Sequence, residues 1–143
     1  MKKMISFVVV LLLAVVLMTA CGAGEPANNG GGDTINYGSV FGPELDPNID
    51  YVKSTVEEIF VDPELFDTHV VLEVELVEIC PAGCWLYIAD PDDTNNITLY
   101  VTRLKDSFTV PMEVEGKIAR VWGKVTANNR GEILEGHRVE VIE

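Results

Sequence analysis

The segment whose residue types and spacing could do chemistry is Cys80-Pro81-Ala82-Gly83-Cys84-Trp85. Three residues between two cysteines put both thiols at the mouth of a tight hairpin, where facing Cα atoms stand about 4.5 to 5.5 Å apart. A disulfide tolerates Cα separations of about 4.4 to 6.8 Å, so a structural hairpin disulfide is the first reading, favoured by an oxidising compartment. The loop it would close is very short, and chain entropy gains little from closing it. Two thiolates at this spacing could instead hold a soft ion such as Cu(I) or Zn²⁺, or cycle between dithiol and disulfide. Two ligands leave a zinc shell incomplete, and His137, His69 and Met112 are the residues available to supplement it. His137 shares strand parity with Ile133, Val139 and Val141, which reads as a hydrogen-bonded histidine at the core edge ahead of a ligand. His69 stands just before an expected strand and should face solvent. No cofactor is expected on this reading, and copper or zinc is the alternative. Haem attachment is excluded, because the spacing is too long and Trp85 stands where a histidine is needed.

Trp85, Tyr87, Tyr100 and Trp122 fall at alternate positions of expected strands. If Leu86, Ile88, Leu99 and Val101 face inward, the four aromatic residues face outward together, and an outward aromatic face is where small barrels stack ligands. The competing expectation, placed slightly ahead, is that a preceding segment containing Tyr37, Phe41 and Phe60 covers them. Asp90, Asp92, Asp93 and Asn95 lack the glycine and closing glutamate of a calcium loop and read as a solvated turn. The sequence contains no G-x-S-x-G, H-E-x-x-H, phosphate-binding loop or dinucleotide fingerprint. Nothing in it makes an enzyme.

The elements that must position these residues show a change of period. Ser54 with Glu57 three places on is a capping-box pattern and predicts a short helix around 53–60, stopped by Asp62-Pro63. From Val70 the period is two: Leu72, Val74 and Leu76 alternate with Glu73 and Glu75. The phase slips by one residue at Leu76-Val77, which a β-bulge would absorb. Further strands are expected over 84–89, 97–102, 117–126 and 132–142, joined by a turn at 81–83, a polar loop at 90–96 and a hairpin turn at 128–131. Pro111 and the β-branched residues of 103–116 leave any helix there short or absent. A long bulged first strand followed by four more predicts an all-β fold, a small five-stranded OB-like Greek-key barrel with one short N-terminal helix. A β-sandwich is its main competitor.

The N-terminus sets location. Lys2 and Lys3 precede an apolar run from Met4 to Ala20, a signal-peptide layout that stops at small residues where a spanning helix would continue into flanking charge. Met18-Thr19-Ala20-Cys21 resembles a lipobox, in which the cysteine is alkylated by diacylglycerol before cleavage in front of it. Cys21 is therefore expected to carry lipid and to anchor the chain to a bacterial membrane on its extracytoplasmic side. The expected organisation is a signal peptide over 1–20, lipidated Cys21 and a Gly/Asn-rich flexible tether over 21–33, a lead-in over 34–69 and the barrel over 70–143. Loss of Lys2 and Lys3 with the signal takes the formal net charge from -13 to -15. Such a surface repels polyanions, so nucleic acid is not an expected partner, nor is anionic lipid for the domain itself. The partners expected are the membrane, through the anchor, and a protein or small-molecule ligand.

Within 70–125 the chain resembles a family of small bacterial envelope proteins of unknown function, often lipoproteins, with an OB-fold-like domain and a Gly-Cys-Trp turn. The resemblance rests on Val77-Glu78-Ile79-Cys80, on Gly83-Cys84-Trp85, on 97–101, on Phe108, Val110 and Pro111, and on Gly116-Lys117 with Gly123. Tyr37-Gly38 matches the family's opening. This chain is shorter after its fourth strand, where such relatives often carry a helical, His-containing segment. The resemblance therefore implies fold and location, and puts metal binding in doubt. Two functions follow as expectations: a membrane-anchored, non-catalytic binding or scaffolding module, or a thiol-based metal or redox module using Cys80 and Cys84.

Overall fold

The computed structural model describes residues 38–102, 104 and 108–143; the signal, Cys21, the tether and Tyr37 lie outside them. Seven strands are present among the described residues where five were expected: β1 (Val40–Phe41), β2 (Val52–Ser54), β3 (His69–Ile79), β4 (Leu86–Ala89), β5 (Leu99–Thr102), β6 (Ile118–Asn128) and β7 (Gly131–Val141). The two additional strands come from the lead-in. Val52 to Ser54 run parallel to Val70 to Leu72 of β3, and Val40 and Phe41 pair antiparallel with Glu140 and Val139 of β7. Neither carries a period-two pattern of its own. Both are held by backbone pairing to a neighbour, which local sequence does not report.

The long strands follow the alternation. Val70, Leu72, Val74 and Leu76 are fully buried while Glu73 is exposed. The register of β3 against β4 shifts between Leu76 and Glu78, at the slip read from the sequence, and Ile79 returns to the core at 2% exposure. The bulge lets one strand serve two partners: 69–75 pair with β6, and 75–79 pair with β4. From there β4 pairs antiparallel with β5, β5 parallel with β7, and β7 antiparallel with β6. The sequence of pairings thus runs β3, β4, β5, β7, β6 and back to β3. Leu72, Leu76, Leu86, Ile88, Leu99, Val121, Leu134 and Val139, contributed by all five of these strands, belong to one buried hydrophobic cluster.

The helix, α1 (Val56–Val61), starts three residues later than expected, and its cap is Thr55 rather than Ser54. Ser54 is the last residue of β2, and its hydroxyl donates to the Glu58 carboxylate at 2.8 Å. Thr55 Oγ1 accepts from Glu58 N–H, and the Glu58 side chain accepts from Thr55 N–H, which completes the capping box one position along. A helix this short does not hold in isolation. Tertiary contacts supply the rest: Val56 and Ile59 are buried in the core, and Asp90, from the loop after β4, accepts from Val56 N–H at 2.9 Å and Glu57 N–H at 3.1 Å. Between β5 and β6 the described residues include one 3₁₀ turn, Met112–Val114.

Candidate binding face and thiol turn

The turn between β3 and β4 is fixed by backbone. Gly83 N–H donates to Cys80 C=O at 2.6 Å, and Cys80 N–H donates to Trp85 C=O at 3.0 Å. Gly83 has φ +68°, and a Cβ there would meet Val110 O at 2.7 Å, because Val110 N–H donates to Gly83 C=O at 3.1 Å. Only glycine fits both the conformation and the contact. The turn is thereby docked on 109–110, and Pro81, Ala82, Gly83, Met112 and Glu113 are among the residues lining a shallow cleft at that junction.

The two sulfurs stand 3.2 Å apart as free thiols, Cys80 buried and Cys84 exposed. The Cys84 side chain, then the backbone amides of Cys84, Ala82 and Gly83, pull the Cys80 thiol below its ordinary range against the opposing effect of burial. The same sulfur contact, together with burial and the charge of Cys80, pushes Cys84 up. The contact thus makes the pair unequal, with Cys80 the more acidic sulfur. Met112, 48% exposed, is at this end of the fold. Among the described residues no three His, Cys, Asp or Glu side chains converge as a metal-ligand set.

His137 is not at the thiol turn, and its expected role as a supplementary ligand to Cys80 and Cys84 is corrected. Its ring is 5.4 Å from that of His69, the first residue of β3, whereas Cys80 follows the last. Eleven residue steps, the ten within β3 at about 3.3 Å each, separate His69 from Cys80 along the chain. The hydrogen-bonded core-edge reading is the one that fits: His137 is 9% exposed and its Nδ1 is hydrogen-bonded to the Tyr51 hydroxyl at 2.8 Å. His69 is half-buried rather than solvent-facing, because Tyr51 and His137 stack against it at centroid distances of 5.6 and 5.4 Å. Tyr51 was not singled out from sequence; it lies in the irregular lead-in, where no periodicity marks it.

Trp85, Tyr87 and Tyr100 do come together. Their ring centroids form a triangle with sides of 5.7, 5.9 and 5.2 Å, tilted or edge-on to one another as aromatic quadrupoles prefer. Leu86, Ile88, Leu99 and Val101, the intervening residues, are all fully buried. Trp122 is not a member of the group. It stands opposite Val71 of β3 and Arg138 of β7, so β3 separates it from β4 on one side and β7 separates it from β5 on the other. Parity gave its outward direction correctly but not its neighbours.

Among the described residues of the lead-in, Phe41 and Phe60 do not cover the aromatic face; Tyr37 lies outside those residues. Phe41 pairs beside Val139 and packs against the core, away from β4. Phe60, 40% exposed on α1, forms a wall of a cleft of about 460 Å³ whose lining includes Tyr87, Tyr100, Asn129, Arg130 and Ile133. Phe60 therefore extends the face instead of closing it. Its signal in the sequence was its place beside, rather than on, the Val56/Ile59 stripe of the helix. The floor of the cleft is aromatic, while Asn128, Asn129 and Arg130 of the β6–β7 turn and Thr98 offer amide, guanidinium and hydroxyl groups at the rim. Such an arrangement can stack a flat or ring-shaped ligand and hydrogen-bond its edge. The aspartates after β4 have other work: Asp90 caps α1, and Asp93 accepts from Asn95 and Ile97 N–H.

No family model matches the chain, and no curated protein matches it. Among solved structures, the chain is similar to a "putative aspartyl-tRNA synthetase" from Leishmania major Friedlin, with a TM-score of 0.46 and 15% identity over 70% of this chain. The chain spans 22% of that protein's length.

Proposed function

We propose that this protein is a membrane-anchored extracytoplasmic lipoprotein whose folded part is a non-catalytic OB-type binding module. The anchor would be lipid on Cys21, for which the support is the apolar run and the Met18-Thr19-Ala20-Cys21 pattern. Support for the OB-type barrel comes from the cyclic order of pairings β3-β4-β5-β7-β6 and from the bulge that lets β3 close it. Within that barrel the ligand would lie on the β4–β5 face.

The observation that carries the binding role is the open aromatic triangle of Trp85, Tyr87 and Tyr100 beside the cleft of about 460 Å³. Aromatic side chains are costly to leave half-exposed, and a face of three invites cover by a partner. The ligand rests on the rings and is oriented by the β6–β7 turn. A direct test uses a Trp122→Phe protein, in which Trp85 is the one remaining tryptophan. Its fluorescence is followed during titration with two defined probe sets, neutral oligosaccharides and short aromatic or cationic peptides. One set should give a saturable change that a Tyr87→Ala, Tyr100→Ala pair abolishes while the fold is retained. Saturable binding that survives loss of both tyrosines, or no response to either set, would overturn the site.

A further inference from the structure

We infer that Cys80 and Cys84 form a redox-active dithiol that exchanges with neutral disulfides, with Cys84 the entry sulfur and Cys80 the resolving one. This activity is independent of the aromatic face and goes beyond the binding role proposed above. Three observations carry it. The sulfurs lie 3.2 Å apart across one turn, so a disulfide between them needs only a small approach. The two are unequal, since Cys84 is exposed and Cys80 is buried at 8%. Thirdly, the turn is held without a bond: Cys80–Trp85 and Gly83–Cys80 backbone hydrogen bonds close it, and Val110 N–H docks it. A staple there would constrain a loop that is already constrained and would close only a handful of residues. A pair poised at this distance and not required for the turn is free to change state.

The alternative use of the thiols, metal binding, finds no support in the surroundings. Among the described residues no third acidic, histidine or cysteine ligand converges on them, and His137 is at the other end of β3. The acidic surface at this end, with exposed Glu78 and Glu113, disfavours anionic disulfides and leaves neutral or cationic ones as the reacting class.

The steps balance as a two-electron exchange. Cys84, its proton given up to solvent, attacks one sulfur of a partner disulfide RSSR and releases one RS⁻, which leaves a mixed disulfide on Cys84. Cys80, its own proton given up to solvent or to the departing thiolate, attacks the Cys84 sulfur and releases the second RS⁻. The protein loses two protons and two electrons and gains an S–S bond. The partner disulfide takes up both and becomes two thiols. The amide N–H groups of 82–84 stabilise the Cys80 thiolate for the second step.

The test uses the full chain, reduced and then mixed with uncharged 4,4′-dithiodipyridine. Trypsin leaves Cys80 and Cys84 on the peptide 54–103 and Cys21 on a separate one ending at Lys53, so the third cysteine does not interfere. Expected in the wild type is an internal disulfide on that peptide, two hydrogens lighter than the dithiol and free of any thiopyridyl adduct. Cys80→Ser should stop at an adduct on Cys84 with one thiopyridone released, and Cys84→Ser should react about tenfold more slowly or less, as a buried thiol does. Should either variant fold poorly, limiting iodoacetamide on the wild type gives the same information, with Cys84 labelled ahead of Cys80. Three outcomes overturn the inference: a pair that stays oxidised in dithiothreitol while the protein is folded, equal labelling of the two thiols, or an isolated reduced protein holding one zinc or copper ion on them.

Discussion

Replacing Gly83 by alanine isolates how firmly the cysteine turn is docked. Two separate costs arise. An L-residue at φ +68° pays about 1 to 2 kcal/mol for the left-handed conformation. The new Cβ would also lie 2.7 Å from Val110 O, a backbone atom that cannot rotate away, and relieving that overlap costs about 1 to 3 kcal/mol more. Gly116 is the control, for it has φ +78° but nothing within 4 Å of an added Cβ, so Gly116→Ala pays only the first cost. Together the figures give a loss of about 2 to 5 kcal/mol for Gly83→Ala against about 1 to 2 for Gly116→Ala. At about 4 to 8 °C per kcal/mol for a domain of this size, Tm should fall by about 8 to 40 °C and about 4 to 16 °C respectively. Thermal unfolding followed by circular dichroism, with urea denaturation beside it, reads both. Equal losses for the two variants would refute the docking of Gly83 on Val110 and with it the rigidity claimed for the thiol turn.

Asp90→Ala should destabilise by about 1 to 2 kcal/mol in urea, because two N–H groups at the start of α1 lose their acceptor, whereas Asp90→Asn should retain most of the stability; equal effects of the two would show that the cap is not a hydrogen-bond cap. Tyr51 gives a pH dependence of known sign. Burial first, and the charge of Asp46 second, raise its folded-state pKa above the ordinary 10.0. Its contribution is therefore complete below about pH 10 and is lost as pH climbs through the raised value. Urea midpoints taken from about pH 9 to 11 should fall more steeply in the wild type than in Tyr51→Phe, and parallel profiles would contradict the assignment. Phe60→Ala, at an exposed helix position, should cost under about 1 kcal/mol of stability yet weaken any ligand held in the β4–β5 cleft.

Much of the framework was legible because burial on one face imposes period two. Leu72, Val74 and Leu76 announced β3, and the change of phase at Val77 announced the bulge. The outward grouping of Trp85, Tyr87 and Tyr100 was legible for the same reason. What parity cannot report is which strands are neighbours, so Trp122 was grouped with aromatic residues two strands away. His137 was likewise open to an alternative role beside thiols at the other end of β3, whereas its reading as a hydrogen-bonded core-edge residue agrees with the Tyr51 contact. Chain-distant pairing explains the other misses. β1 and β2 are strands only because β7 and β3 accept them, and Asp90 finds α1 across 34 residues of sequence. The helix cap slipped by one because Ser54 and Thr55 both fit the pattern, and the pairing of β2 through Ser54 decided between them.

The claim on which the function turns is that ligands lie on the β4–β5 aromatic face. The most direct measurement is ¹H–¹⁵N and aromatic ¹H–¹³C correlation mapping of the wild type against a set of small ring-containing fragments. Shifts clustered on Trp85, Tyr87, Tyr100, Phe60 and the β6–β7 turn, and absent when both tyrosines are alanine, are the expected result. Shifts that instead centre on Trp122 or the Tyr51–His137 cluster, or that persist in the double variant, would contradict it.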